Sequence, residues 1–255
     1  MPYIEVRRLN VTFRGSKNTV ALDDFSLDIE KHKFISIIGP SGCGKTTFLR
    51  VLAGLTGLSS GEVFIDGKAI TGPGPDRAVV FQEHVLMPWL SALRNVGFGL
   101  EVSGVPRAER RRKAEEFMRL VGLDGFESYY PHELSGGMRQ RVGLARALVV
   151  DPEILLMDEP FGSLDAQTRE SMQDELLNIW GLQRKTVVFS THSIEEAIYM
   201  SDRVVIMTPR PGRAKEVINV NLSRPREYSH RVSSEFRDLR LHVWEKLSNQ
   251  ASAHL

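Results

Sequence analysis

A chain of 255 residues, 42% hydrophobic and 25% charged, has ordinary soluble composition and the length to bury a sizeable core. Its 33 basic residues are offset by 32 acidic ones, so the bulk charge of +1 gives no sign of a nucleic-acid partner and none is expected. The single cysteine, Cys43, excludes an internal disulfide and fits a reducing compartment. The longest apolar runs, such as ILLM before Asp158, are far short of the ~20 residues that cross a bilayer, so any membrane role is expected to be peripheral.

At the N-terminus, MPYIEVRRLNVTF alternates charged and apolar residues and has no apolar core of signal-peptide length, so no export is expected. Short β-branched apolar runs follow at 34–38 (FISII), 78–81 (AVVF), 153–157 (EILLM), 186–191 (TVVFST) and 203–207 (RVVIM), with helical stretches between them. Continuous apolarity suits strands buried on both faces of a parallel sheet, which predicts an α/β core. In PRAERRRKAEEFMRLVGL, Pro106 suits a first turn, Ala114, Phe117 and Val121 recur at helical spacing, and Gly122 suits a stop. The basic run RAERRRK is read as a solvated helix face. After Met207 the chain turns polar, with Pro209, Pro211, Gly212 and Pro225, before a last helix predicted near 233–248. No internal repeat is evident.

Two motifs carry chemistry. GPSGCGKTT spans Gly39, Pro40, Ser41, Gly42, Cys43, Gly44, Lys45, Thr46 and Thr47, directly after FISII and before the helical pattern Phe48, Leu49, Val51, Leu52. Glycines let successive backbone N–H groups converge on phosphate oxygens, and the helix N-terminus adds its dipole. Lys45 supplies a cation for the β- and γ-phosphates, and Thr46 a hydroxyl for Mg²⁺. The second motif, ILLMDEP, ends a buried strand in Asp158 and Glu159, at the sheet edge where such folds bind ligands. Neighbouring acids on a strand end point apart and can hold different roles, Asp158 behind the metal and Glu159 as general base facing the attacking water.

GPSGCGKTT, VVFQE, LSGGMRQR, ILLMDEP, SLD and STH occur in the order found in the nucleotide-binding subunits of ATP-binding-cassette (ABC) transporters, which the chain resembles from residue 3 to about 220. The resemblance implies that Gln82 reaches Mg²⁺ and water while sensing a membrane subunit, that His192 contacts the γ-phosphate, and that Asp165 is the aspartate following the carboxylate strand. It implies that Phe13 stacks on adenine. Met138, Val142, Ala145 and Val149 repeat at helical spacing, so Ser135, Gly136 and Gly137 start a helix, an anion site in its own right. In the resembled family that site binds the γ-phosphate held by another subunit, so a head-to-tail pair of chains is expected. Met138 stands where the family most often has glutamine, and Ser193 where it has aspartate. Neither departure removes a phosphate or metal contact.

The segments at 71–100, YPHELSGGMRQR and TPRPGR resemble the importers of nitrate, aliphatic sulfonates and taurine. The expected fold is α/β, a P-loop NTPase core (1–82 and 151–215) with an N-terminal antiparallel β layer, an inserted helical lobe (83–150) and a C-terminal tail and helix (216–255), all in one domain. The expected activity is ATP hydrolysis, with ATP and Mg²⁺, at the cytoplasmic face of the membrane. Expected partners are a second cassette, integral membrane permease subunits and, indirectly, a periplasmic or surface solute-binding protein. Val85, Leu86, Met87 and Trp89 are candidates for the permease dock, with packing inside the lobe as the competing reading. The chain has one LSGG, against two cassettes in translation-factor-like relatives, and no heptad arms between 47 and 134 as chromosome-maintenance cassettes require. A small-molecule P-loop kinase would lack LSGG altogether.

Overall fold

The computed structural model describes residues 2–82 and 85–248. Two sheets and eight α-helices account for most of them. Near the N-terminus β1 (Ile4–Phe13) and β2 (Thr19–Ile29) form an antiparallel pair, joined on the other side of β1 by β4 (Ser60–Ile65) and then β5 (Lys68–Ala69). In β1 the residues Ile4 and Val6 face the core, and after a register shift at Arg7–Arg8 so do Leu9 and Val11. Arg8 absorbs the irregularity with φ 46°, so both apolar pairs stay on one face.

The second sheet has the order β10 (Ala214–Asn219), β9 (Arg203–Met207), β3 (Phe34–Ile38), β8 (Thr186–Thr191), β7 (Ile154–Asp158) and β6 (Arg77–Val80). All neighbours are parallel except the β10–β9 edge pair. The apolar runs are continuous because both faces are covered. In β3, Phe34 and Ile38 enter one core and Ile35 and Ile37 the other. The alternation continues in β9, with Val204 and Ile206 opposite Val205 and Met207. Each such side chain contributes roughly 1.5–3 kcal/mol by leaving water.

One core lies between this sheet, the antiparallel sheet and α1 (Lys45–Leu52). The other takes α4 (Gly136–Leu148), α5 (Ala166–Gln183), α6 (Ile194–Met200) and α8 (Ser234–Ser248) against the opposite face. Between β6 and β7 lie α2 (Ala92–Val102) and α3 (Arg107–Leu120), packed on each other and on α4. The basic run on α3 is a solvated face, as expected, laced by Arg111–Glu115, Arg112–Glu116 and Lys113–Glu109 pairs one turn apart. A short α7 (Tyr228–Arg231) precedes α8. Strand β7 runs through Asp158, one residue beyond the apolar run, because Asp158 still pairs with Ser190. Among the described residues no helix is long and apolar enough to cross a membrane.

Candidate nucleotide site

Strands β3, β8 and β7 are adjacent and parallel, with Ile38 beside Thr191 and Asp158 beside Ser190, so the residues that follow them emerge along one edge. There the loop from Gly39 to Gly44 turns into α1. Gly44 caps the helix with φ 109°, and a Cβ on it would lie 2.8 Å from Leu22 Cδ2 and 2.9 Å from the Ala21 carbonyl, so only glycine fits. No side chain caps α1, which leaves its first N–H groups to a ligand. The turn between β9 and β10 presses on the outside of the loop. A Cβ on Gly212 would fall 2.0 Å from the Cys43 carbonyl oxygen, and Gly212 N–H donates to Ala21 O at 2.9 Å.

Lys45 is buried, donating from Nζ to Gly39 O at 3.0 Å, with Glu159 Oε1 3.3 Å away. The other oxygen of Glu159 lies 3.4 Å from His192 Nδ1. Glu159 has φ 44°, a left-handed conformation that carries strain for a non-glycine residue, and its N–H donates to Ser190 O and Oγ at 3.1 and 3.0 Å. Ser190 Oγ in turn donates to Asp158 Oδ1 at 2.7 Å, so one hydroxyl orients both acids. Gln82 follows β6, and its Nε2 lies 4.0 Å from where a Cβ on Gly162 would stand, next to the turn that leaves Glu159. Thr46 is exposed on the first turn of α1. Phe13, 47% exposed, ends β1 with its ring available to a flat ligand.

The remaining predicted residues form a second group. Ser135 caps α4 by accepting the Met138 N–H at 3.2 Å, which leaves the serine's own proton to donate elsewhere. Asp165 caps α5 by accepting the Thr168 N–H at 3.0 Å, a bond that holds its carboxyl below the usual range. The two helix starts touch, since a Cβ on Gly137 would sit 2.9 Å from Thr168 Cγ2. Gly136 opens α4 beside it. Among the described residues no hydrogen bond or ion pair joins 135–137 to 39–47 of the same chain.

Cys43 contributes backbone only. Its side chain is buried, and that burial pushes the thiol up. The apolar segment after Gln82 divides: Leu86 is buried, Met87 half-buried, Val85 and Trp89 exposed, Trp89 at 72%. Sequence reasoning missed Ser190, and it missed Arg169, whose Nε and Nη2 hold Phe161 O and Leu164 O at 3.2 and 2.6 Å. Ser190 meets Glu159 and Asp158 across 31 and 32 residues, and Arg169 folds back on a turn five to eight residues before it that no motif marks.

A glycine loop between a buried strand and a helix, a lysine in it, and a paired acid at the end of β7, two strands away in the same sheet, define a P-loop nucleotide-binding fold. The ABC transporter family model matches residues 22–162, and the chain belongs to that family. It is 52% identical to an uncharacterized ABC transporter ATP-binding protein of Methanocaldococcus jannaschii over 97% of this chain and 92% of that protein. It is 47% identical to a taurine import ATP-binding protein of Rhizobium johnstonii, over 93% and 95%. Among solved structures, it matches a dimeric post-hydrolysis state of the ATP-binding cassette MJ0796 bound to ADP and Pi. There the TM-score is 0.76 and the identity 32%, with 86% of this chain and 100% of that one covered.

Proposed function

We propose that this chain is the ATP-hydrolysing subunit of an importer, powering uptake of taurine or another small sulfonate through a separate membrane permease. The observation that carries the ATPase reading is Glu159, a carboxylate on a strained turn between the lysine of the phosphate loop and His192. The cargo reading rests on the named taurine importer with which the chain is nearly collinear.

The loop from Gly39 to Thr47 would cradle the phosphates with its N–H groups, Lys45 turning its ammonium from Glu159 toward the β- and γ-oxygens. Thr46, Gln82 and Asp158 would hold Mg²⁺. They offer hard oxygens, and the described residues hold no cluster of three or more acidic, histidine or cysteine ligands, which suits an ion that keeps waters and phosphate oxygens of its own. Bound there, Mg²⁺ neutralises charge on the phosphates. Glu159 takes a proton from the attacking water and His192 meets the γ-phosphate. Phe13 stacks on the adenine.

Ser135, Gly136 and Gly137 would close the site of a second copy in a head-to-tail dimer, with Asp165 at the same seam. A hydroxyl that accepts its cap bond from Met138 can still donate to phosphate, and helix α4 presents its positive end with it. The lobe at 83–150 would bear the permease, with Val85 and Trp89 at the contact. This places the subunit at the cytoplasmic face of the membrane, with a solute-binding protein beyond it.

Purification of the chain from membranes should bring down permease subunits, and the complex should hydrolyse ATP faster when a solute-binding protein loaded with taurine is added. Cells lacking the chain should fail to grow on taurine as sulfur source while growing on sulfate. Stimulation by nitrate in place of sulfonates would move the cargo to the other oxyanion of the resembled group. A soluble ATPase with no membrane partner would refute the transport reading.

A further inference from the structure

Behind Glu159 and His192 lies a polar network outside the residues that meet the nucleotide. Its centre is Glu196 on α6, only 7% exposed. Glu196 accepts one hydrogen bond from the Thr191 hydroxyl and another from Gln173 Nε2, the latter at 2.9 Å. Thr191 immediately precedes His192, and its Oγ1 also accepts the Ser193 N–H at 3.0 Å. Both chain neighbours of His192 are therefore tied to Glu196 through a single hydroxyl.

The network continues along one face of α5. Asp165, Arg169 and Gln173 succeed one another at four-residue intervals, so they line up on the helix surface. Arg169 holds the Phe161–Leu164 turn after Glu159, and Gln173 holds Glu196. The Gln173 carbonyl oxygen then accepts from Arg231 Nη2 at 2.7 Å, and the Arg231 guanidinium lies 3.6 Å from the centre of the Tyr199 ring. Arg231 ends α7, in the C-terminal segment. A cavity of about 20 Å³ has Glu159 and His192 in its lining together with Arg169, Thr191, Ser193 and Glu196, so the proposed reacting groups and the network share one small gap.

We propose that Glu196 is a positioning residue for His192, fixing the histidine's backbone through Thr191, and that Arg231 of the C-terminal segment sets that hold through Gln173. The inference rests on the ATPase reading, since it gives Glu196 its effect only through His192. Two acceptor bonds on one buried carboxylate leave Thr191 and Gln173 no choice of orientation. An amide at 196 would set donor against donor at Gln173 or reverse the bond to Thr191, and either change loosens the hold on the loop.

The test is a reversal of bond polarity, measured on the full-length chain with its permease. Glu196→Gln should lower kcat for ATP by about tenfold or more and leave KM within about twofold, because misplacing a reacting group costs turnover more than binding. Adding Gln173→Glu supplies an acceptor for the new amide and for Arg231, so the double variant should recover most of the lost kcat. Arg231→Ala should lower kcat in the same direction with KM unchanged. Wild-type kcat in Glu196→Gln, absence of recovery in the double variant, or a fall matched by loss of folded protein in thermal melts would each overturn the proposal. His192→Ala separates the two readings. If it keeps wild-type turnover the catalytic role of His192 fails, whereas its inactivity beside a fully active Glu196→Gln counts against the positioning network alone.

Discussion

Lys45 Nζ and Glu159 Oε1 stand 3.3 Å apart, so the cation of the phosphate loop and the strand-end carboxylate are partners before either is a phosphate ligand or a base. On the proposed mechanism nucleotide would compete for that ammonium, and hydrolysis would need the carboxylate released from it, so the two proposed functions meet in one ion pair.

Glu159→Gln removes the proposed base and weakens Lys45's partner together. Turnover should fall by about 10² to 10⁴, the usual worth of a general base, while ATP affinity holds or rises. ATP-bound dimers should then persist long enough to isolate by gel filtration. Wild-type turnover in this variant would exclude Glu159 as the base.

Cys43 sits in the middle of the phosphate loop, yet its side chain is buried and that burial raises the thiol pKa, so little thiolate is exposed to reagent. A bulky maleimide should label the native chain slowly with or without ATP, and label it fully in denaturant. Rapid native labelling that Mg-ATP blocks would show that the loop opens.

The site was readable from sequence where its parts are contiguous. Gly39 to Thr47 act through a local turn, and the αβ alternation follows from apolar runs covered on both faces. Contacts made by the fold left no trace. The hydroxyl of Ser190 serves Asp158 and Glu159, and Gln173 reaches Glu196 across 23 residues, bonds that no spacing rule anticipates. The dock candidates Val85, Leu86, Met87 and Trp89 look alike as letters. Only packing tells Leu86, which fills the core, from Trp89, which faces water.

Trp89→Ala should therefore leave the melting temperature of the isolated chain and its ATP affinity unchanged, since the ring is 72% exposed. Co-purification with the permease should drop sharply, because a large aromatic anchor often dominates an interface. A destabilised isolated chain would instead assign the ring to the lobe's own packing.

Two inactive chains test whether LSGGMRQR serves its own loop or a neighbour's. Lys45→Ala removes the phosphate-loop cation, and Ser135→Arg blocks the start of α4. Each homodimer carries one defective half in both sites and should be inert. If the sites form between chains, the mixed dimer gathers both lesions in one site and leaves the other intact, so mixing should restore trapping of one nucleotide per dimer. A mixture as inert as its parents, with heterodimers present, would place both halves in one chain.

From outside, residues 208–213 look like an ordinary surface hairpin, the kind of place chosen for a tag or an inserted domain. Yet Gly212 lies against Cys43 O and binds Ala21 O, while Arg213 pairs with Asp23. The hairpin is thus the outer wall of the phosphate loop. An insertion there would show itself as lost nucleotide in a protein that still folds. Conversely, a loop cut out at 39–47 and grafted onto another scaffold would arrive with its glycines and without the surface they were shaped to fit.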